Sequence, residues 1–351
     1  ACGWYSVTGT GPFPTRNLAD NLADLHAQLA ANLLGAARLR ELSGEDATGG
    51  DELCSMMRAI LDDSARVMRQ QISSIADCEA EERLNDGAVI RVSICKSGDQ
   101  RLQLDFTGTS PTHPRNLNAT TAIVQSAVLY VLRLLLQQDL PLNEGLMEPI
   151  ELILPPSMLN PVFTGDAASD PAVVGGNVEV SQRLVDTLIK ALRLQACSQG
   201  TMNNLLFGNS RFGYYETIAG GAGAGDGYDG ASALHTHMTN TAITDPEIIE
   251  QRYPVRLREF SIRRGSGGAG KWSGGDGVVR EFEFLEPLTV SMLTQHRSSG
   301  PFGVEGGDRG KPGKQTLISS RGEEVLQASS SIEVQPGDRV RMETPGGGGW
   351  G

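Results

Sequence analysis

The sequence predicts an α+β protein: helices gathered at the front, a mixed α/β middle, and a glycine-rich, mostly β rear. Three observations predict it. Apolar residues recur at helical spacing before about residue 76. The period changes to two from about residue 90. Glycine, 43 of 351 residues, crowds into blocks beyond residue 200, separated by short strand-like runs. The expected division is a helical hairpin region (1–80), a mixed α/β lobe (81–212) and a glycine-rich β lobe (213–351), interlocked as lobes of one unit.

The elements follow in order. Gly9 to Pro14 is loop. Leu18, Leu22, Leu25, Leu29 and Leu33 then recur at spacings of four and three, giving an amphipathic helix to about Arg40 whose stripe is expected in the core. After a polar turn at Ser43 to Gly50, Met57, Ile60, Leu61, Met68 and Ile72 repeat the pattern to about Ala76 and complete a helical hairpin. Beyond Asn85-Asp86-Gly87, Ile90, Val92 and Ile94 alternate with polar residues. Leu102, Leu104 and Phe106 do the same across a turn at Ser97 to Gln100, which makes a β-hairpin. Thr120 to Gln138 is apolar nearly all round and reads as a buried helix against that sheet. Pro149 to Leu154 returns to strand, and Val178 to Ala196 is helical, with Leu184, Leu188, Ala191 and Leu192 on one face. Strands follow at Val255 to Ile262, Val278 to Phe284, Leu288 to Leu293 and Val340 to Glu343. The glycine blocks share no fixed spacing, which excludes a solenoid or propeller.

Charge removes several function classes. With 42 acidic against 30 basic residues, a net charge of −12 and no run of Lys or Arg, the chain lacks the footprint of a nucleic-acid binder. Its longest apolar run, Ala127 to Leu136, is broken by Arg133 and falls short of the ~20 residues that span a bilayer. The five cysteines (Cys2, Cys54, Cys78, Cys95, Cys197) include no C-x-x-C pair and suit a reducing, cytoplasmic setting. The opening Ala1-Cys2-Gly3-Trp4-Tyr5 has no initiator Met and no signal-peptide layout, so the chain reads as a piece of something longer.

Among short motifs, Gly265 to Trp272 approaches a phosphate-binding loop. Trp272 stands where a metal-reaching hydroxyl belongs, and Ser273-Gly274-Gly275 cannot open a helix. The formal dinucleotide pattern at Gly225 to Gly230 lacks a βαβ setting and reads as a turn. The informative run is His235-Thr236-His237-Met238-Thr239-Asn240-Thr241. If extended, it puts His235, His237, Thr239 and Thr241 on one face, able to bind a metal, move a proton or orient a carbonyl. A hydrogen-bonded histidine pair bracing the glycine loops carries equal weight. His26, His113 and His296 stand apart and read as structural. Asn118, Asn177 and Asn204 sit in Asn-rich turns, where they either satisfy local backbone or offer neutral donors to a polar ligand.

Longer strings carry a resemblance. Thr15-Arg16-Asn17-Leu18, FTGTSP at Phe106 to Pro111, VVGGNVEVSQRLVD at Val173 to Asp186, MNN at Met202 to Asn204 and YYETIAGGAGAG at Tyr214 to Gly225 resemble the hydantoinase B/oxoprolinase family. So do HTHMTNTAITDPEIIEQRYPV at His235 to Val255, RRGSGGAGKWSGGDGVVRE at Arg263 to Glu281 and TPGGGGWG at Thr344 to Gly351. The resemblance implies a component of an ATP-dependent cyclic-amide hydrolase that opens 5-oxoproline or a hydantoin. The lactam oxygen is phosphorylated on a partner, a hydantoinase A-type actin-like ATPase subunit or domain that binds ATP with Mg, and the two parts form a hetero-oligomer. It also implies a His- and Asp-bearing, metal-like segment upstream of the region seen here. A divalent metal is therefore an expectation with no ligand set assigned in this chain.

The expected catalytic residues are His235, His237, Glu216 and Asn240, with Glu216 or a histidine as base for water; Asn118, Asn177, Asn204 and Thr241 are expected to bind substrate. Asp245 and Arg252 rank behind them, the ordinary readings being a turn cap and a surface ion pair. Two rivals remain open: a non-catalytic assembly subunit of such a complex, and an acetone-carboxylase-type subunit.

Overall fold

The computed structural model describes residues 18–44, 47–98, 100–136, 139–166 and 168–351. The loop expected at Gly9 to Pro14, and Cys2, lie outside the described residues. Helices α1 (Leu18–Ser43) and α2 (Ala47–Ile72) make up the front. The leucine stripe of α1 is not core: the helix buries no residue, and Leu33 is 72% exposed. Periodicity fixes which face is apolar, not what covers it. Along α2 the first half is likewise open, whereas Met68 and Ile72 are fully buried in the first core.

That core lies on a four-stranded sheet of order β1-β2-β3-β4, comprising β1 (Cys78–Arg83), β2 (Val89–Ser97), β3 (Arg101–Asp105) and β4 (Ile150–Ile153). The expected hairpin is β2 with β3, Ile94 opposite Leu104. Strand β4 runs parallel to β3 and is reached through helix α3 (Thr121–Leu135). A crossover of this kind is what a parallel neighbour requires. Strand β1, sequence CEAEER, offers no apolar alternation; it forms an edge by pairing its backbone with β2. Helix α4 (Ser181–Leu192), entered through a π turn at Gly176–Val180, packs on β1, β2 and α3.

The rear half holds two antiparallel sheets. One has the order β12-β9-β5-β6, from β5 (Asn204–Gly208), β6 (Gly213–Glu216), β9 (Leu288–Leu293) and β12 (Ser329–Val334). The other has the order β11-β10-β13-β8-β7, from β7 (Val255–Arg263), β8 (Gly277–Phe284), β10 (Lys314–Ser319), β11 (Gly322–Val325) and β13 (Arg339–Glu343). Phe207, Val290 and Met292 from the first meet Phe282, Phe284, Val340 and Met342 from the second in one core. The short helix α5 (Pro246–Arg252) adds Ile249 to it. Among the described residues no helix is long and apolar enough to cross a membrane.

The glycine blocks are neighbours in space. The C-terminal run 346–349 threads between the blocks at 221–224 and 267–275, with hydrogen bonds from Gly268 N to Gly347 O (2.8 Å) and from Gly347 N to Gly275 O (2.9 Å). A Cβ on Gly347 would stand 1.9 Å from the Ala222 carbonyl oxygen. Backbones this close admit no side chain. The loop that approaches a phosphate-binding motif is part of this layer, with Trp272 bridged to Trp350.

Gly347→Ala is therefore expected to lower the free energy of unfolding by about 3 kcal/mol or more, an overpacking penalty. Gly35→Ala, in open space on α1, should be neutral or stabilising by up to ~1 kcal/mol. Urea titration of both variants checks this; equal effects would contradict the close approach of the backbone layers.

Candidate functional site

The site is organised by α4. Glu179, Gln182, Arg183 and Asp186 recur at helical spacing from the π turn into α4, and each is at most 1% exposed. A polar face buried this deeply must find its partners in protein. Arg183 Nη2 donates to Glu82 Oε2 (2.7 Å), its Nη1 lies 3.6 Å from Asp186 Oδ2 and also meets His296 Nε2. Gln182 Nε2 donates to the Thr236 carbonyl (2.9 Å). Glu179 Oε1 accepts from Met202 N (3.0 Å) and Asn204 Nδ2 (2.6 Å). The ridge thereby joins the first sheet to the loops of the rear half.

Burial sets the protonation of this ridge. It pushes the Glu179 carboxyl up to about 8 and that of Asp186 up to about 7, the latter opposed by the Arg183 charge. His237, also buried, is pushed down to about 4. At pH 7 Glu179 is mostly protonated and His237 is neutral.

Beside the N-terminal end of the ridge opens a cavity of about 820 Å³. Its walls come from the π turn (Asn177, Val178), β5 and β6 (Asn204, Leu206, Tyr215), the run at Met238 to Thr241, and β9 and β12. None of the residues lining it carries a charge. Four expected site residues meet here: Asn177, Asn204, Asn240 and Thr241. Asn204 gives both its amide hydrogens away, to Glu179 and to the Leu293 carbonyl (2.7 Å), and its Oδ1 accepts from the Tyr215 hydroxyl (2.7 Å). It anchors Tyr215 rather than presenting free donors. Thr241 Oγ1 lies 2.5 Å from Thr217 Oγ1 and 3.4 Å from Thr239 Oγ1, a knot of hydroxyls on one wall.

The other expected residues lie elsewhere. The run from His235 is not an extended strand: His237 has φ 55°, and Thr239 N donates back to Thr236 O (3.3 Å), a turn that breaks the alternation. His237 Nδ1 sits 3.2 Å from the Tyr130 hydroxyl, and its Nε2 faces Asp186 Oδ1 at 3.8 Å. His235 has a buried Nδ1 with no hydrogen-bond partner, and burial lowers its pKa. Glu216 is gripped by Arg280 through Nε (2.7 Å) and Nη2 (3.0 Å), and by the Tyr214 hydroxyl (2.8 Å). Asn118, fully buried, pins the 113–118 turn by donating to the carbonyls of His113, Arg115 and Ala172. Neither Glu216 nor Asn118 lines the cavity. Asp245 caps α5, accepting from Glu247 N (2.9 Å), and Arg252 ends the same helix.

The profile of the hydantoinase B/oxoprolinase family matches residues 7–351. The chain belongs to that family. It is 41% identical to 5-oxoprolinase 1 of Arabidopsis thaliana over 96% of its own length, which is 28% of that protein. It is also 41% identical to the 5-oxoprolinase of Dictyostelium discoideum, with 96% and 27% covered. The crystal structure of the ATP-dependent caprolactamase from Pseudomonas jessenii superposes with a TM-score of 0.81 at 25% identity, covering 95% of this chain and 61% of the other. The chain thus spans little more than a quarter of the oxoprolinases it matches.

In this family member, sequence reading missed the buried cluster behind the cavity. Asp186, Cys197 and His296, the last read in sequence as a lone structural histidine, bring their ligand atoms within 4.8 Å of one another. Among the described residues this is the cluster able to hold a metal ion. Its oxygen, sulfur and nitrogen donors suit a zinc-like ion, and both Asp186 oxygens lack a hydrogen-bond partner. Arg183 already places a positive charge there. Sequence reading of this helix gives only its apolar face, Leu184, Leu188, Ala191 and Leu192; the polar residues at 179, 182, 183 and 186 recur at helical spacing, and that spacing was the signal available.

Replacing Glu216 by Ala would strand the Arg280 guanidinium, itself 1% exposed, without its counterion. Loss of about 3–5 kcal/mol of stability is expected in denaturant titration. A loss below ~1 kcal/mol would free Glu216 from its structural role.

Proposed function

We propose that this chain is the ring-opening component of an ATP-dependent cyclic-amide hydrolase acting on 5-oxoproline or a hydantoin. Its partner is a hydantoinase A-type, actin-like ATPase subunit or domain, which binds ATP with Mg; the working enzyme is a hetero-oligomer. An unstrained lactam is a poor electrophile. Transfer of the terminal phosphoryl group of ATP to the lactam oxygen, with ADP leaving, makes the ring carbon electrophilic. Water adds to that carbon, the ring C–N bond breaks with its nitrogen taking a proton, and the acyl phosphate is hydrolysed to carboxylate and inorganic phosphate.

The observation that carries this reading is the cavity: large enough for a small ring, apolar in body, and furnished with amides and hydroxyls but no charges. Such groups suit the neutral lactam or hydantoin ring itself. Asn177, Asn240 and Thr241 orient the ring, and the Tyr215 hydroxyl, fixed through Asn204 to Glu179, marks the wall where oxygen is held. His237, beside Met238 of the wall, is the proton-handling residue. It is free of its second proton at pH 7, and Asp186 Oδ1 lies 3.8 Å from its Nε2. His235 supports the same turn. A divalent ion would be held in this chain by Asp186, Cys197 and His296, taking over the charge that Arg183 supplies. Bound there, it would polarise a nearby oxygen.

The test is glutamate release from 5-oxoproline by this chain with and without its ATPase partner, with ATP present, phosphate measured in parallel and hydantoin as the second ring. Turnover only with the partner is expected, and His237→Asn, which tolerates the left-handed backbone, should abolish ring opening while leaving complex formation intact. No turnover on either ring despite a stable complex would favour the assembly-subunit reading; normal turnover by His237→Asn would remove its role.

A further inference from the structure

A second cleft, of about 490 Å³, adjoins the neutral cavity and shares Asn116, Leu293 and Ser329 with it. Its character is the opposite. In a chain of net charge −12, its lining brings together three cations, Arg115, Arg297 and Lys314, against one carboxylate, Asp86. Asp86 is already engaged, 2.8 Å from His113 Nε2 and 3.4 Å from Arg115 Nη2.

Arg297 is the telling residue. It is mostly buried, yet no carboxylate lies within 4.0 Å of its guanidinium among the described residues. Its contacts are to neutral oxygens: Nε donates to Gln315 Oε1 (3.2 Å), Nη1 to the Gln295 carbonyl (2.7 Å) and Nη2 to Asn203 Oδ1 (2.9 Å). A guanidinium carries five N–H donors, so two are left without a protein acceptor. The carboxyl whose field reaches Arg297, Glu179, makes no ion pair with it within 4.0 Å and is pushed toward its neutral form by burial. The place is built for the guanidinium: a Cβ on Gly313, which lines the cleft, would fall 2.5 Å from Arg297 Nη1. Among the described residues Lys314, at the mouth, has no ion-pair partner, and the buried Nδ2 donor of Asn85, also in the lining, has no acceptor. A buried cation held by neutral groups beside an open cleft is costly unless an anion joins it.

We propose that this cleft is an oxyanion subsite in which Arg297, with Lys314 and Arg115 at the mouth, binds a carboxylate or phosphoryl group. The body of the same ligand then lies in the neutral cavity next door. The anion site stands on the charges of the cleft; only the identity of the ligand body rests on the cyclic-amide reading. Within that reading the subsite selects rings that carry an acid group, or holds the phosphoryl group of the activated ring.

Isothermal titration calorimetry of the chain with inorganic phosphate, 5-oxoproline and 2-pyrrolidinone, the same lactam without its acid group, tests this directly. Phosphate or 5-oxoproline should bind, and 2-pyrrolidinone should bind at least about tenfold more weakly than whichever anion binds. Arg297→Gln should weaken the anion by about tenfold or more, and the surface variant Lys314→Gln by about threefold, with circular dichroism confirming the fold. Binding of phosphate alone assigns a phosphoryl group, binding of 5-oxoproline alone a carboxylate; either supports the subsite. Absence of binding by both anions at millimolar concentration, equal binding of the two lactams with none of phosphate, or affinity unchanged in Lys314→Gln combined with Arg115→Gln overturns it. Anion binding that persists in an assembled enzyme unable to open either ring would leave the subsite standing and remove the cyclic-amide reading alone.

Discussion

Burial of the polar face of α4 is the constraint on which the rest of the structure depends. Glu179, Gln182, Arg183 and Asp186 are buried; the first three draw hydrogen-bond partners from other elements, while both Asp186 oxygens have none among the described residues. Arg183 requires Glu82 from β1 and His296 from the loop after β9; Gln182 requires the Thr236 carbonyl; Glu179 requires Met202 and Asn204. The Arg183 matches draw together segments more than a hundred residues apart. They also explain why the front sheet and the rear sandwich meet along a polar seam. The hydrogen bonds of Gln182 and Glu179 hold the loops at Thr236 and Met202 to Asn204 beside the cavity.

The glycine layer is the second constraint and serves the first. Cys197, in the triad with Asp186 and His296, accepts through its carbonyl from Gly348 N (2.8 Å), so the C-terminal strip is tied to the seam. Side chains anywhere along that strip would push apart the backbone layers that hold Cys197 and the 221–224 loop in place. The composition that looked like loop in one dimension is close packing in three.

Much of the fold was legible because its signals are local. The β2–β3 hairpin announces itself by alternation, α3 by apolar residues all round, and β7, β8, β9 and β13 by short runs between glycines. The misses have one physical origin: sequence reports the pattern of a face but not its environment. The leucines of α1 look like core and are exposed, while the polar residues at 179, 182, 183 and 186, passed over in sequence, are buried. The same limit applies at the site. Asn177, Asn204, Asn240 and Thr241 meet in one cavity, whereas His237, at φ 55°, turns its ring toward Tyr130 and Asp186. Arg297 carried no signal in sequence, since what singles it out is a missing counterion.

The sharpest measurement is the stability of the wild type, Glu179→Gln and Glu179→Ala by denaturant titration from pH 5 to 9. Because burial raises the folded-state pKa of Glu179 to about 8 from 4.5, the native state holds a proton that the unfolded state has lost. That contribution is full at low pH and fades as pH rises toward 8. Relative to Glu179→Gln, the wild type should lose roughly 1.4 kcal/mol per pH unit up to pH 8 and level off above it. Glu179→Ala should be the least stable of the three at pH 5, where the wild type still holds most of that contribution. A Gln variant as unstable as the Ala variant at pH 7, or a wild type whose stability runs parallel to Glu179→Gln across the range, would contradict a neutral, buried carboxyl at the centre of the seam.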